Sequence, residues 1–408
     1  MDLHTVSATV IFLFTIVVVA AGKFPGLRMD RTGAAVIGAA LMLGAGVLSP
    51  QQAYGAIDLD TIALLFGMMI VAANLRLSGF FGLVSAWVVR HVRRPLWLLA
   101  AIVAVSGVFS AFFVNDTICL VLTPLVCHVT SRLKRNPVPY LLAVAMAANI
   151  GSTATITGNP QNMLIGSMSH ISFSAFAAAL APIAGIGLAL TVLAVWLLYR
   201  SEFASGARLE AVQETVRVSR PLLWRSAAVS AAMVAFFFWG QPVPKVALLA
   251  GAVLLITRRV HPEKIYRQID FPLLVMFAGL FVVVAGIERT PWLSDLVAIA
   301  QRMQLERIPV LSAFTAVLSN IVSNVPAVLM LRPFVTHFHD PHRGWLVLAM
   351  ASTLAGNFTI TGSVANLIVV QHARKEGVDI TFGGYFRLGA PLTVITIIVG
   401  VLLLGVWG

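Results

Sequence analysis

Two stretches of this 408-residue sequence carry polar groups among apolar neighbours. "TITGNPQN" runs from Thr155 to Asn162, and "TITGSVAN" runs from Thr359 to Asn366, half the chain further on. Gly and Pro interrupt helices, so each motif is expected to be unwound backbone. Its free N–H and C=O groups, with the Thr, Ser and Asn side chains, can hold a solute or an ion. The expected contacts are Thr155, Thr157, Gly158, Asn159 and Asn162 in the first motif and Thr359, Thr361, Gly362, Ser363 and Asn366 in the second. "FFVNDTIC" adds Asn115, Asp116 and Thr117, and "IVSNVPAV" places Ser323 and Asn324 at the matching point of the second half. No HExxH, GxSxG or suitably spaced Asp pair is present, which sets an intramembrane enzyme aside.

Asp116 has no charged neighbour in its stretch of sequence. A carboxylate at membrane depth must be protonated, paired or bound to a cation, so Asp116 is the expected proton-coupling group. The alternative is a structural Asp capping a helix that starts at Thr117. Arg332, beside Pro333 and a polar run from Thr336, is expected to snorkel to the membrane surface. Asn149 and Asn320 read as helix-packing glue. Cys119 and Cys127 lack CxxC spacing and read as buried thiols, and "HFHDPHRG" from His337 reads as a solvated loop rather than a metal tract. No metal or cofactor is expected.

Composition says what must position these groups. Hydrophobic residues make up 59% and charged residues 11%, with a mean hydropathy of +0.92, against about 25% charged for soluble domains. The fold class is therefore an all-α polytopic membrane protein. Spans are expected at roughly 5–21, 33–48, 61–79, 138–168 and 173–199, then 226–240, 245–257, 271–288, 345–371 and 380–407. Segments 97–131 and 309–337 are expected to enter and return as re-entrant hairpins. The net charge of +12 sits in short loop clusters, which points to a membrane protein in its bilayer rather than to nucleic acid.

Three blocks recur in the same order: "AIDLDTIALLFG" from Ala56 with "QIDFPLLVMFAG" from Gln268, the two hairpins, and the two breaks. The chain thus divides into a first repeat over 1–199, a linker over 200–225 and a second repeat over 226–408. With five crossings in each half the repeats are inverted. The Lys and Arg clusters support this, lying in inner loops at Lys23, Arg28 and Arg31, at Arg90, Arg93 and Arg94, at Arg132, Lys134 and Arg135, and through the linker at Arg208 and Arg217. A further inner cluster holds Arg258, Arg259, Lys264 and Arg267. Both termini then face outward, and the N-terminal apolar segment is a retained helix rather than a signal peptide.

"FFVND", "SNVPAVL", "TGNPQN", "TGSVAN" and "GYFRLGAPL" together resemble the ArsB/NhaD permeases of the ion transporter superfamily, over nearly the whole chain. The resemblance implies two hairpins packed against two broken helices, with the solute between the tips. It is nearest the arsenite and antimonite efflux branch of the cell inner membrane, where a soluble ATPase partner and a homodimer are both open. Asp116 and Val325 stand where sodium-coupled carriers show Asn and Thr, which favours a proton. Because no Lys or Arg except Arg332 lies between the motifs, a small neutral hydroxide such as arsenous acid fits better than a tricarboxylate. Sodium-coupled or sodium/proton-exchanging transport of an anion such as a dicarboxylate or citrate, and silicate efflux, are the alternatives.

Overall fold

The computed structural model describes residues 3–22, 28–204, 218–258 and 260–406. Lys23, Arg259 and the middle of the linker with Arg208 and Arg217 lie outside the described residues. Among those described, the structure is helical throughout, with no strand.

The first half runs α1 (Leu3–Ala21), α2 (Arg31–Gly44), α3 (Pro50–Ala56), α4 (Leu59–Ser78) and α5 (Phe80–His91). A hairpin of α6 (Pro95–Phe112) and α7 (Asn115–Arg132) follows. Next comes a broken helix of α8 (Pro137–Ser152), a 3-10 turn at Ile156–Gly158 and α9 (Pro160–Ser169). Then come α10 (Phe173–Leu198) and α11 (Arg200–Ala204). The second half repeats this order with α12 (Arg220–Phe238), α13 (Val243–Leu255), α14 (Pro262–Tyr266), α15 (Phe271–Glu288) and α16 (Trp292–Arg302). The hairpin of α17 (Ile308–Val322) and α18 (Asn324–Val335) leads to the broken helix of α19 (Pro341–Ala355), a turn at Ile360–Gly362 and α20 (Val364–Lys375). The helix α21 (Phe382–Val406) closes the chain.

Local signals set the boundaries. Asp58 and Asp270, the paired acids of the first recurring block, accept from the backbone N–H of Thr61 and Leu273 and start α4 and α15. Pro occupies the first turn of α6, α8, α9, α15 and α19, where its missing N–H costs nothing. Seven helices, α1, α4, α6, α10, α12, α15 and α21, are long and apolar enough to cross a membrane. The expected spans at 33–48 and 245–257 are shorter, as α2 and α13 of 14 and 13 residues. The expected spans did not include α3, α5, α14 and α16, because these are short helices beside the crossings.

The framework is two reciprocal crossings: α4 packs on α13, and α2 on α15. A Cβ at Gly67 would lie 2.5 Å from the Ala247 carbonyl, and one at Gly279 would lie 2.7 Å from that of Ala35. Only glycine lets these backbones approach so closely, and its recurrence in both halves gives matching joints. Inside the framework α8 is buried from Pro139 to Ser152, flanked by α6, α7, α10 and α20.

Candidate functional site

Each broken helix must find partners for the carbonyls that the break releases, since lipid offers none. In the first, the Asn162 side chain reaches back over the gap and donates to the carbonyls of Ser152 (3.1 Å) and Thr155 (3.0 Å). In the second, Asn366 does the same to Gly356 (2.7 Å) and Thr359 (3.1 Å). Asn159 and Ser363 cap the second segments, accepting from the N–H of Asn162 (2.8 Å) and Ala365 (3.3 Å).

The two breaks are also tied to one another. Asn149, on α8 of the first half, donates to Asn357 Oδ1 (2.8 Å) and Asn366 Oδ1 (3.0 Å) and accepts from Ser363 Oγ (3.1 Å) and Asn115 Nδ2 (2.9 Å). Thr353, on α19 of the second half, accepts from Asn159 (3.1 Å) and Gln161 (3.2 Å) of the first break. Each half therefore fastens the other half's break.

The hairpins end at these breaks. Hydroxyls of Thr155 and Thr157 donate to the carbonyl of Ala111 at the end of α6. Thr359 and Thr361 lie 3.3 Å from each other, as Thr155 and Thr157 do, but the second half differs in leaving Thr361 exposed, and there Asn320 of α17 donates to Ala355 (3.0 Å). Asn320 thus joins hairpin to broken helix, as glue was expected to do. The tip residue Ser323 has φ +78° and ψ 160°, a region that is essentially glycine's own and costs about 1–3 kcal/mol.

At the first tip α7 begins at Asn115, with Val114 before it and no side-chain cap. Asp116 therefore sits inside the first turn, and the alternative reading, a cap on a helix starting at Thr117, does not hold: the helix starts two residues earlier. The first turn favours a carboxylate through the helix dipole. Among the described residues Asp116 has no hydrogen bond or ion pair within 4 Å.

A cavity of about 60 Å³ opens between the tips, the breaks and the framework. Of the expected residues it gathers Asn115, Asp116, Ser323, Asn324 and Ser363. Thr155, Thr157, Asn159, Asn162 and Asn366 lie behind its wall in the network above. Gly158 passes so close to Ser152 that a Cβ would meet its carbonyl at 2.1 Å, and Gly362 stands 2.9 Å from that of Gly356 in the same test. Thr117, Thr359 and Thr361 are not among the lining residues.

The wall also contains residues that the sequence did not point to. Gln161 and Pro160 follow from the first break, and Leu273 and Met276 come from the start of α15. Arg31 matters most. It was expected in an inner-loop cluster, with no cation but Arg332 near the motifs; instead it is the first residue of α2 and lines the cavity. No ion pair within 4 Å holds its guanidinium among the described residues. Arg332 also departs from expectation, for it is half-buried beside Glu288 at 3.7 Å, at the far end of α18 from the tip, rather than snorkelling alone. Cys119 and Cys127 are free and buried. Among the described residues no group of three His, Cys, Asp or Glu could hold a metal ion, the His337 stretch included.

Known proteins are similar to this chain over most of its length. The chain matches the citrate transporter family, CitMHS, over residues 9–355. It is 30% identical to the silicon efflux transporter LSI3 of Oryza sativa subsp. japonica over 93% of each chain. It is 24% identical to the putative transporter arsB of Dictyostelium discoideum, over 96% of this chain and 91% of that one. The crystal structure of the Alcanivorax borkumensis YdaH transporter superposes with a TM-score of 0.64 at 15% identity, covering 99% of this chain and 97% of that one, which is a likeness of fold. The chain is thus a multi-pass membrane protein that belongs to the CitMHS citrate transporter family, within the ion transporter superfamily.

Proposed function

We propose that the chain is a secondary active transporter that exports a small metalloid hydroxide of the arsenite or antimonite kind in exchange for protons. The size of the cavity carries this reading. A water needs about 10–15 Å³ of such space, so about 60 Å³ admits roughly four to six water-sized groups. Arsenous acid fits that space and citrate does not. The lining suits it too, since amides and hydroxyls at Asn115, Gln161, Ser323, Asn324 and Ser363 both donate to and accept from solute hydroxyls. Arg31 adds a charged donor to a solute oxygen.

Asp116 is the group that trades a proton for the solute, because it is an unpaired carboxyl on the same wall. Thr155, Thr157, Gly158, Asn159, Asn162, Thr359, Thr361, Gly362 and Asn366 position the site from behind. Repeats over 1–199 and 226–408, joined by the linker 200–225, are inverted in the cell inner membrane with both termini outside. This reading needs neither a soluble ATPase nor a second copy. Silicic acid, also small and hydroxylated, is the second reading, favoured by the likeness to the rice silicon efflux transporter.

Everted vesicles with an imposed proton gradient test the proposal. Arsenite accumulates without sodium, and Asp116→Asn abolishes the gradient-driven part while leaving exchange of bound solute. Sodium-dependent uptake of citrate with no arsenite accumulation refutes the solute. An unchanged pH profile in the Asn variant removes Asp116 from the coupling.

A further inference from the structure

Away from the solute cavity, three connected spaces lie between the second hairpin and the framework. The first is a slot of about 450 Å³ walled by apolar side chains of α1, α15, α16, α17 and α18, among them Phe12, Leu13, Leu296, Phe314, Leu318 and Phe334. Leu13 and Phe314 are 55% and 38% exposed, so in a membrane the slot opens onto lipid. Glu288 and Leu293 border both this slot and a second space of about 670 Å³, whose wall holds Arg289, Thr290, Ser294 and Gln301. Val297, Gln301 and His337 join that space to a third, of about 540 Å³, beside Arg307 and Gln304. An apolar slot therefore leads into a polar chamber.

The chamber's charges are not balanced. Its acids are occupied: Glu288 faces Arg332 at 3.7 Å, and Glu306 accepts from the backbone N–H of His339 (2.6 Å) and Asp340 (3.3 Å). Arg289 and Arg307 have no ion pair within 4 Å among the described residues. In the slot wall the indole N–H of Trp292 is enclosed without a partner.

The corresponding place in the first half is tightly filled. There α5 stands where α16 stands in the second half, and the cavity between α5 and the hairpin arms is about 30 Å³. Phe80, Phe81 and Phe109 fill the neighbouring volume with edge-to-face contacts at 5.3–5.7 Å. In the second half Phe314 and Leu318 of the hairpin instead face the slot.

We propose that this groove holds one anionic phospholipid, its acyl chain in the slot and its headgroup phosphate in the adjoining chamber, whose wall carries Arg289 and Arg307. Chemistry selects this occupant: the slot opens onto the bilayer, and the chamber beside it offers cations without an acidic partner. The lipid replaces in the second half the packing that phenylalanines supply in the first. It rests only on the chain's lying in a membrane and not on the identity of the solute.

Purified full-length protein in detergent is mixed with phosphatidylglycerol or phosphatidylcholine, and retained lipid is counted by native mass spectrometry alongside thermal unfolding. The wild type retains one phosphatidylglycerol per chain in preference to phosphatidylcholine, and its Tm rises with it. Two exposed arginines contribute about ten- to thirty-fold in affinity, so Arg289→Gln with Arg307→Gln removes the preference by that factor and leaves phosphatidylcholine unaffected. Leu318→Trp, which fills the slot, prevents retention of both lipids while the protein still unfolds cooperatively. Equal retention of the two lipids by the wild type, or a preference that survives the double variant, overturns the proposal.

Discussion

Removing the Asn149 side chain, as Asn149→Ala, tests the link between the two halves. It deletes four buried hydrogen bonds of 2.8–3.1 Å and leaves Asn115, Asn357, Asn366 and Ser363 each short of a partner. Interhelical side-chain bonds within membranes average about 0.6 kcal/mol and reach about 1.7. Four bonds whose orphaned partners cannot turn to water therefore sum to about 2–4 kcal/mol. Asn320→Ala, which loses bonds to Ala316 and Ala355, is the comparison at about 1 kcal/mol. Asn149→Thr imports the residue found at the matching place, Thr353, and falls between the two. Reversible unfolding in mixed micelles measures all three, with vesicle transport alongside. If Asn149→Ala costs no more than Asn320→Ala, the bonds at Asn149 do not fasten the breaks together, and the account of the site's rigidity fails.

Three other positions, Ser323, Gly67 and Arg31, test the same geometry. Ser323→Gly relieves the φ of +78°, so stability rises by about 1 kcal/mol in the same unfolding assay, and a loss of stability shows that the conformation is not strained. Gly67→Val drives a side chain into the Ala247 backbone, costing about 1–3 kcal/mol or more, whereas Gly55→Val, with nothing within 4 Å, leaves packing intact; equal effects would dismiss the close crossing. Arg31→Gln raises the KM for the transported solute about ten-fold with kcat retained, the worth of one charge-assisted contact, and Arg31→Lys recovers part of it; an unchanged KM takes Arg31 out of solute binding.

The hairpins and broken helices were legible because polar, Gly- and Pro-containing stretches inside apolar runs have few physical explanations, and their recurrence removed chance as one. The capping Asp58 and Asp270 and the joint at Gly67 and Gly279 were visible as matched letters for the same reason. What the sequence hid was direction. Arg31 reads as an ordinary cation between two spans, and only the packing of α2 against α15 turns it toward the tips. Asn149 looks like any polar residue in a helix, since its partners lie about half the chain away. Thr155 and Thr157 promised free hydroxyls, yet the carbonyl that accepts them, at Ala111, lies in another element. The helices α5 and α16 escaped because short segments beside a span carry no length signal of their own.

The reciprocal fastening of the breaks bears on the protein's ancestry. Asn149 finds its acceptors at Asn357 and Asn366, and Thr353 finds its donors at Asn159 and Gln161, so neither half closes its own polar interior. A half-length chain folding alone would leave these groups facing hydrocarbon, and a single-repeat progenitor could have been stable only as a pair of copies, each completing the other. The same dependence survives within the present chain. Cut within 205–217 and produced as two fragments, it should yield membrane-stable protein when both are made together and degraded fragments when either is made alone.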